Sequence, residues 1–197
     1  MRAPAPFLLA TLALAGCNAA PKGPSVHEQE AARATQVDRL KGWDRMFQPD
    51  VAHGAANQLG LHPTDYAAAA GGFESKGGPV TISNSFARAP NQVAYTASGK
   101  AAGTIDAFAF DLTLSDPEVD AKARERFANL VRDFVFQSKI DAKPIMAAMT
   151  TGTPAKGDLA GAPYEIARAA DARGVDHLTV TFTRTGASAP ANSKTQG

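Results

Sequence analysis

Residues 104–138, TIDAFAFDLTLSDPEVDAKARERFANLVRDFVFQS, read as one strand running directly into one long amphipathic helix. Phe108, Phe110, Leu112 and Leu114 recur at period two and line one face of a sheet. Val119, Ala123, Phe127, Leu130 and Phe134 recur at three- and four-residue steps, with Val131 and Val135 beside them, so the helix carries one apolar stripe. Ser115-Asp116-Pro117-Glu118 marks the junction: Ser115 or Asp116 can cap, and Pro117 suits a first turn. Strand and helix can cover each other, and they form the expected core. The helix charges Glu118/Lys122 and Asp120/Arg124 sit four apart with the acid first, as solvated pairs do, and Arg126 falls on the wet side.

Working outward, Val80, Ile82, Asn84 and Phe86 alternate as a first strand, and Val93, Tyr95 and Ala97 mark a second. Short links join these to strand 104–114, which predicts a three-stranded antiparallel meander. Upstream, Val37, Leu40, Trp43 and Phe47 share a helical face, ended at Gln48-Pro49-Asp50. That face is expected to lie on the small side of strand 104–114, formed by Ile105, Ala107 and Ala109. Tyr66 to Ala70 reads as a short helix stopped by Gly71-Gly72, and Phe73 to Gly78 as a loop. Residues 151–163, TGTPAKGDLAGAP, read as a flexible excursion, and the hairpin around Asp171-Ala172-Arg173-Gly174 closes the domain. The expected fold is therefore α+β: an N-terminal helical segment, a three-stranded antiparallel meander, one long amphipathic helix and a C-terminal β-hairpin.

The N-terminus reads differently. Arg2 precedes the run Phe7-Leu8-Leu9-Ala10-Thr11-Leu12-Ala13-Leu14, which is too short to span a bilayer as a stable helix. The run ends in Leu14-Ala15-Gly16-Cys17, and these residues resemble the lipobox of bacterial lipoprotein signal peptides. The resemblance implies that Cys17 takes a thioether-linked diacylglycerol, that residues 1–16 are cleaved as a signal peptide, and that the new amine is acylated, commonly with palmitate. Asn18 after the lipidated cysteine leans toward the outer membrane, facing the periplasm. Residues 17–27 then form a tether, 28–184 a single periplasmic domain, and 185–197 a small, polar tail.

Charge and motif narrow the functions. The chain has 20 basic and 19 acidic side chains, and loss of Arg2 with the leader leaves 19 against 19. That balance argues against a nucleic-acid partner. His27, His53, His62 and His177 show no metal-ligand spacing, and Cys17 is the only thiol, so no metal or cofactor is assigned. The signatures of serine hydrolases and phosphate-binding loops are absent, so no catalytic residue is assigned. Asp106 shares the phenylalanine face and is expected to cap a turn or lie at an edge, while Asp111 belongs to the opposite face. The reading is a membrane-anchored envelope lipoprotein with a non-catalytic interaction or structural role and an envelope protein as partner. A small-ligand-binding periplasmic module is the alternative, with an enzyme behind both.

Overall fold

The computed structural model describes residues 23–83 and 89–187. Two units divide the chain, residues 1–35 and 36–197. The first contributes most of helix α1 (Val26–Arg39), none of whose residues is buried. Its start is a capping box: the Glu28 amide donates to Ser25 Oγ at 3.3 Å, and the Ser25 amide donates to Glu28 Oε2 at 2.7 Å.

The second unit is built on one antiparallel sheet. Its strands are β1 (Ala67–Ala69), β2 (Gly72–Thr81), β3 (Gln92–Gly99), β4 (Ala107–Leu114), β5 (Ala155–Leu159), β6 (Ala162–Ala170) and β7 (Asp176–Thr183). They lie in the order β1-β2-β3-β4-β7-β6-β5. Helices α2 (Gly42–Met46), α3 (Pro49–Gln58), α4 (Asp120–Phe136) and α5 (Lys143–Thr151) supply most of the remaining core, with Phe47, Leu61, Ile105, Ile140 and Ala142 added from connections.

A seven-stranded sheet replaces the expected meander plus separate hairpin. The last strand, β7, pairs with β4 along its whole length, matching Phe108 with Phe182, Phe110 with Val180 and Leu112 with Leu178. Meander and hairpin thereby become one sheet. Two further strands come from stretches read as helix or loop. Ala67–Ala69 and Gly72–Thr81 form a hairpin in which glycine permits close backbone approach rather than looping. A Cβ at Gly77 would lie 2.7 Å from the Leu61 carbonyl oxygen, and one at Gly78 would lie 2.5 Å from that of Val93. The excursion 151–163 contains β5, which turns into β6 through Ala160 (φ +52°) and Gly161 (φ +96°). Leu159 and Ala162, beside that turn, are buried. The first expected strand is also shifted: β2 ends at Thr81, and Asn84 and Phe86 lie outside the described residues.

The core sits on one side of the sheet. Along it run the rows Tyr95–Phe110–Val180–Ile166 and Val93–Leu112–Leu178. Helix α4 lays Ala123, Phe127, Ala128, Val131, Phe134 and Val135 on these rows, in the phase its sequence dictates. Phe134 meets Phe110 edge-on at 4.9 Å and Phe108 at 5.5 Å. Its start is fixed by a buried polar tie: Asn91 Oδ1 accepts from the Asp116 amide at 2.8 Å, and Asn91 Nδ2 donates to the Asp116 carbonyl at 3.2 Å. Asp116 Oδ1 in turn accepts from the Glu118 amide, capping the 3₁₀ turn Pro117–Val119.

The N-terminal aromatics pack on this same face. Trp43 packs tilted at 5.0 Å from Phe182, and Phe47 stacks at 5.0 Å from Phe108. The small side of β4, their expected site, remains uncovered by them. The helix carrying them is also broken: α1 ends at Arg39, and α2 starts afresh at Gly42, whose φ is +53°. Pro49, expected to end a helix, instead occupies the first turn of α3. Arg126 is tied down as well, donating from Nη1 to the Ile82 carbonyl at 2.8 Å.

Replacing Phe127, which is fully buried, with alanine should cost about 3–5 kcal/mol. Glu125→Ala, on the exposed side, should stay within about 0.5 kcal/mol. Chemical denaturation would compare them, and equal midpoints would mean that α4 buries a different face. Trp43 is 7 % exposed and donates from its indole to the Leu159 carbonyl at 2.6 Å. Its fluorescence should be blue-shifted in the native protein and resist iodide, whereas emission like that of free tryptophan would contradict this packing.

Candidate functional site

The face of the sheet away from the core brings together titratable side chains from β4, β7 and the turn between β6 and β7. Alternation puts Ala94, Thr96 and Ser98 of β3 there, with Ala109, Asp111 and Thr113 of β4 and His177, Thr179 and Thr181 of β7. All nine are half-buried. The β4–β7 register places Asp111 opposite Thr179 and Thr113 opposite His177, so Asp111 and His177 are diagonal neighbours.

Contacts follow from that register. Asp111 Oδ2 lies 2.7 Å from His177 Nδ1, and Asp111 Oδ1 accepts from the Thr179 hydroxyl at 2.9 Å. The other ring nitrogen, Nε2, faces Asp171 Oδ2 at 3.9 Å. Asp171 belongs to the β6–β7 turn, where its Oδ1 accepts the amides of Arg173 (2.8 Å) and Val175 (3.0 Å). Its Oδ2 accepts from the Arg173 guanidinium through Nε at 3.0 Å and Nη2 at 2.8 Å. The Val175 amide and then the Arg173 side chain outweigh desolvation and hold the Asp171 carboxyl down at about 2.

This arrangement constrains the chemistry. Asp111–His177 resembles the orienting half of a nucleophilic triad, but the nitrogen that would serve a nucleophile points at a second carboxylate. The carboxylates also flank opposite ring nitrogens rather than converging on one point. Among the described residues no three His, Cys, Asp or Glu side chains are grouped to hold a metal ion.

Other sequence candidates are dispersed. Cys17 lies outside the described residues. His27 is exposed beside Glu30 at 3.7 Å, and His53 approaches Asn57 at 3.5 Å. Asp106 caps a turn, one of the two roles expected for it: Oδ2 accepts the Lys100 amide at 2.9 Å, and Oδ1 takes both Nε and Nη2 of Arg184. Burial alone would raise its carboxyl, but Arg184 and the Lys100 amide override that and hold it below the usual range. It precedes β4, so the strand phase that put Ile105 on the small face does not extend to it. Ile105 is in the core, with its amide bonded to the Phe47 carbonyl at 2.9 Å. Nearby, Tyr66 donates to the Thr104 carbonyl at 3.0 Å, and burial followed by the Asp106 charge pushes its phenol up to about 12.

Two open-sided grooves lie elsewhere. One of about 360 Å³ runs along β5 and β6 past Lys156, Glu165 and Arg168. The other, about 350 Å³, lies beside Phe136 and Lys139 at the end of α4. Compared with known proteins, the chain matches no family model, no curated protein and no solved structure.

Depressed carboxyls fix the sign of the acid response. Asp171 and Asp106 are charged in the fold at pH values where free carboxyls already bind protons. Their stabilisation is complete above the ordinary carboxylate range and is lost as pH falls through their lowered values. For Asp171 the window runs from about pH 4 down to about 2. Asp171→Asn keeps an acceptor for the turn amides and should flatten the fall in stability across that window. An unchanged slope in acid denaturation would remove Asp171 from the account.

Proposed function

We propose that the chain is a lipid-anchored protein of the bacterial envelope whose folded unit binds or braces another envelope protein rather than catalysing a reaction. The observation that carries this reading is Leu14-Ala15-Gly16-Cys17 placed directly after an apolar run near the N-terminus. Acyl chains at Cys17 would each contribute about 0.8 kcal/mol per buried methylene, so two or three of them hold a protein at a bilayer. The polar side chains best suited to chemistry support a binding role, because neighbouring charged groups crowd them. Both His177 nitrogens face carboxylates, and Asp106 is held by Arg184. The grooves also differ from small-ligand pockets, which enclose most of their occupant.

Metabolic labelling with a fatty-acid probe tests the anchor. Wild-type protein should be labelled and partition with membranes, and Cys17→Ser should lose the label. Absence of label on the wild-type protein would overturn the reading. Photo-crosslinkers at Thr96 and Thr181, on the uncovered sheet face, would test the partner role in intact envelopes. A discrete protein adduct at either position is expected, and none at both would remove that face from consideration.

A further inference from the structure

We propose that His177 is a proton-operated latch that fastens the β6–β7 turn to strand β4. A carboxylate only accepts hydrogen bonds, so the 2.7 Å contact with Asp111 requires the hydrogen on Nδ1. Asp111 is fixed in turn by the Thr179 hydroxyl at 2.9 Å and approached by that of Thr113 at 3.5 Å, which sets the ring's orientation. In the neutral ring, Nε2 is then a lone pair facing Asp171 Oδ2 at 3.9 Å, and two acceptors make no bond. A proton on Nε2 turns that opposition into attraction. The ring becomes a cation with an N–H directed to each side, tied to Asp111 on β4 and to Asp171 in the turn.

The surrounding charges allow this without dictating it. Arg173, mostly exposed, already donates to Asp171 Oδ2, so the protonated ring shares that oxygen rather than finding it vacant. Arg168 and Asp176 bond each other at 2.7 Å. Ala169, the β6 register partner of His177, adds no charge. The Asp171 amide donates to the Val175 carbonyl at 2.8 Å and the Gly174 amide to the Asp171 carbonyl at 3.0 Å, which closes residues 171–175 as a unit, and tying Asp171 to His177 fastens that unit to β7. The latch closes when Nε2 takes up a proton and opens when it releases it, so acidification tightens the turn and alkali frees it.

Amide hydrogen exchange on the whole protein tests the latch. Protection of Gly174, whose amide donates to the Asp171 backbone carbonyl, corrected for intrinsic rates and read against Leu112 in β4, should be about threefold higher at pH 5 than at pH 8, the scale of a partly exposed ion pair. His177→Gln and Asp171→Asn should both abolish that gain. The asparagine retains an acceptor for the turn amides, so a folding defect is not expected to obscure the result. No gain in the wild-type protein, or its survival in either variant, overturns the proposal.

Discussion

The pairing of β7 with β4 is the constraint on which the other elements depend. Strand β4 carries Phe108, Phe110, Leu112 and Leu114 toward the core and needs neighbours on both edges to satisfy its backbone. The meander supplies β3 on one side. The other edge is filled only after the chain has made α4, α5, β5 and β6, when β7 returns to it. That long closure puts Phe182, Val180 and Leu178 beside the phenylalanine row and enlarges the apolar surface the helices must cover. Helix α4 has 17 residues, a length of about 25 Å, and cannot cover seven strands alone. The short α2 with Phe47 and Trp43 takes one flank, while α5 brings Ile145 and Met149 into the same core.

What sequence made legible was periodicity within elements. The strand phase of β4 and the stripe of α4 follow from 2.0 and 3.6 residues per turn, and the large buried residues keep those phases, while Ala107 at the start of β4 is buried on the other face. Pairing between elements distant along the chain was not legible, because no local pattern specifies which edge a hairpin will join. Glycine and alanine misled for a related reason. In 66–78 and 151–163 they mark backbones that approach one another, and the same residues without that context resemble a helix stop and a loop. Gly77, with the Leu61 carbonyl at its back, shows the difference: the close neighbour is supplied by tertiary structure.

The same limit governs the candidate site. Alternation already separated Asp111 from the phenylalanine face, and it placed His177 on the side of its hairpin opposite Leu178, Val180 and Phe182. What remained missing was the register that matches Asp111 with Thr179. Once that register is set, the contact follows with little freedom: diagonal residues on adjacent antiparallel strands are within reach of longer side chains. Asp171 could be recognised as a turn residue, but its approach to Nε2 depends on the position of His177 just past the hairpin's end.

A sheet covered on one side commits its two faces to different physics. On the core face, removing a methylene leaves a gap that rigid neighbours cannot fill, so side chains are fixed by packing. On the other face, Thr, Ser and Ala leave the backbone ladder to hold the strands, and polar contacts can change without disturbing the core. The Asp111–His177–Asp171 grouping stands on that second face, joined to the core by the same two strands but not packed into it. Its protonation can therefore alter how a surface turn is held while the β4–β7 pairing beneath it remains in place.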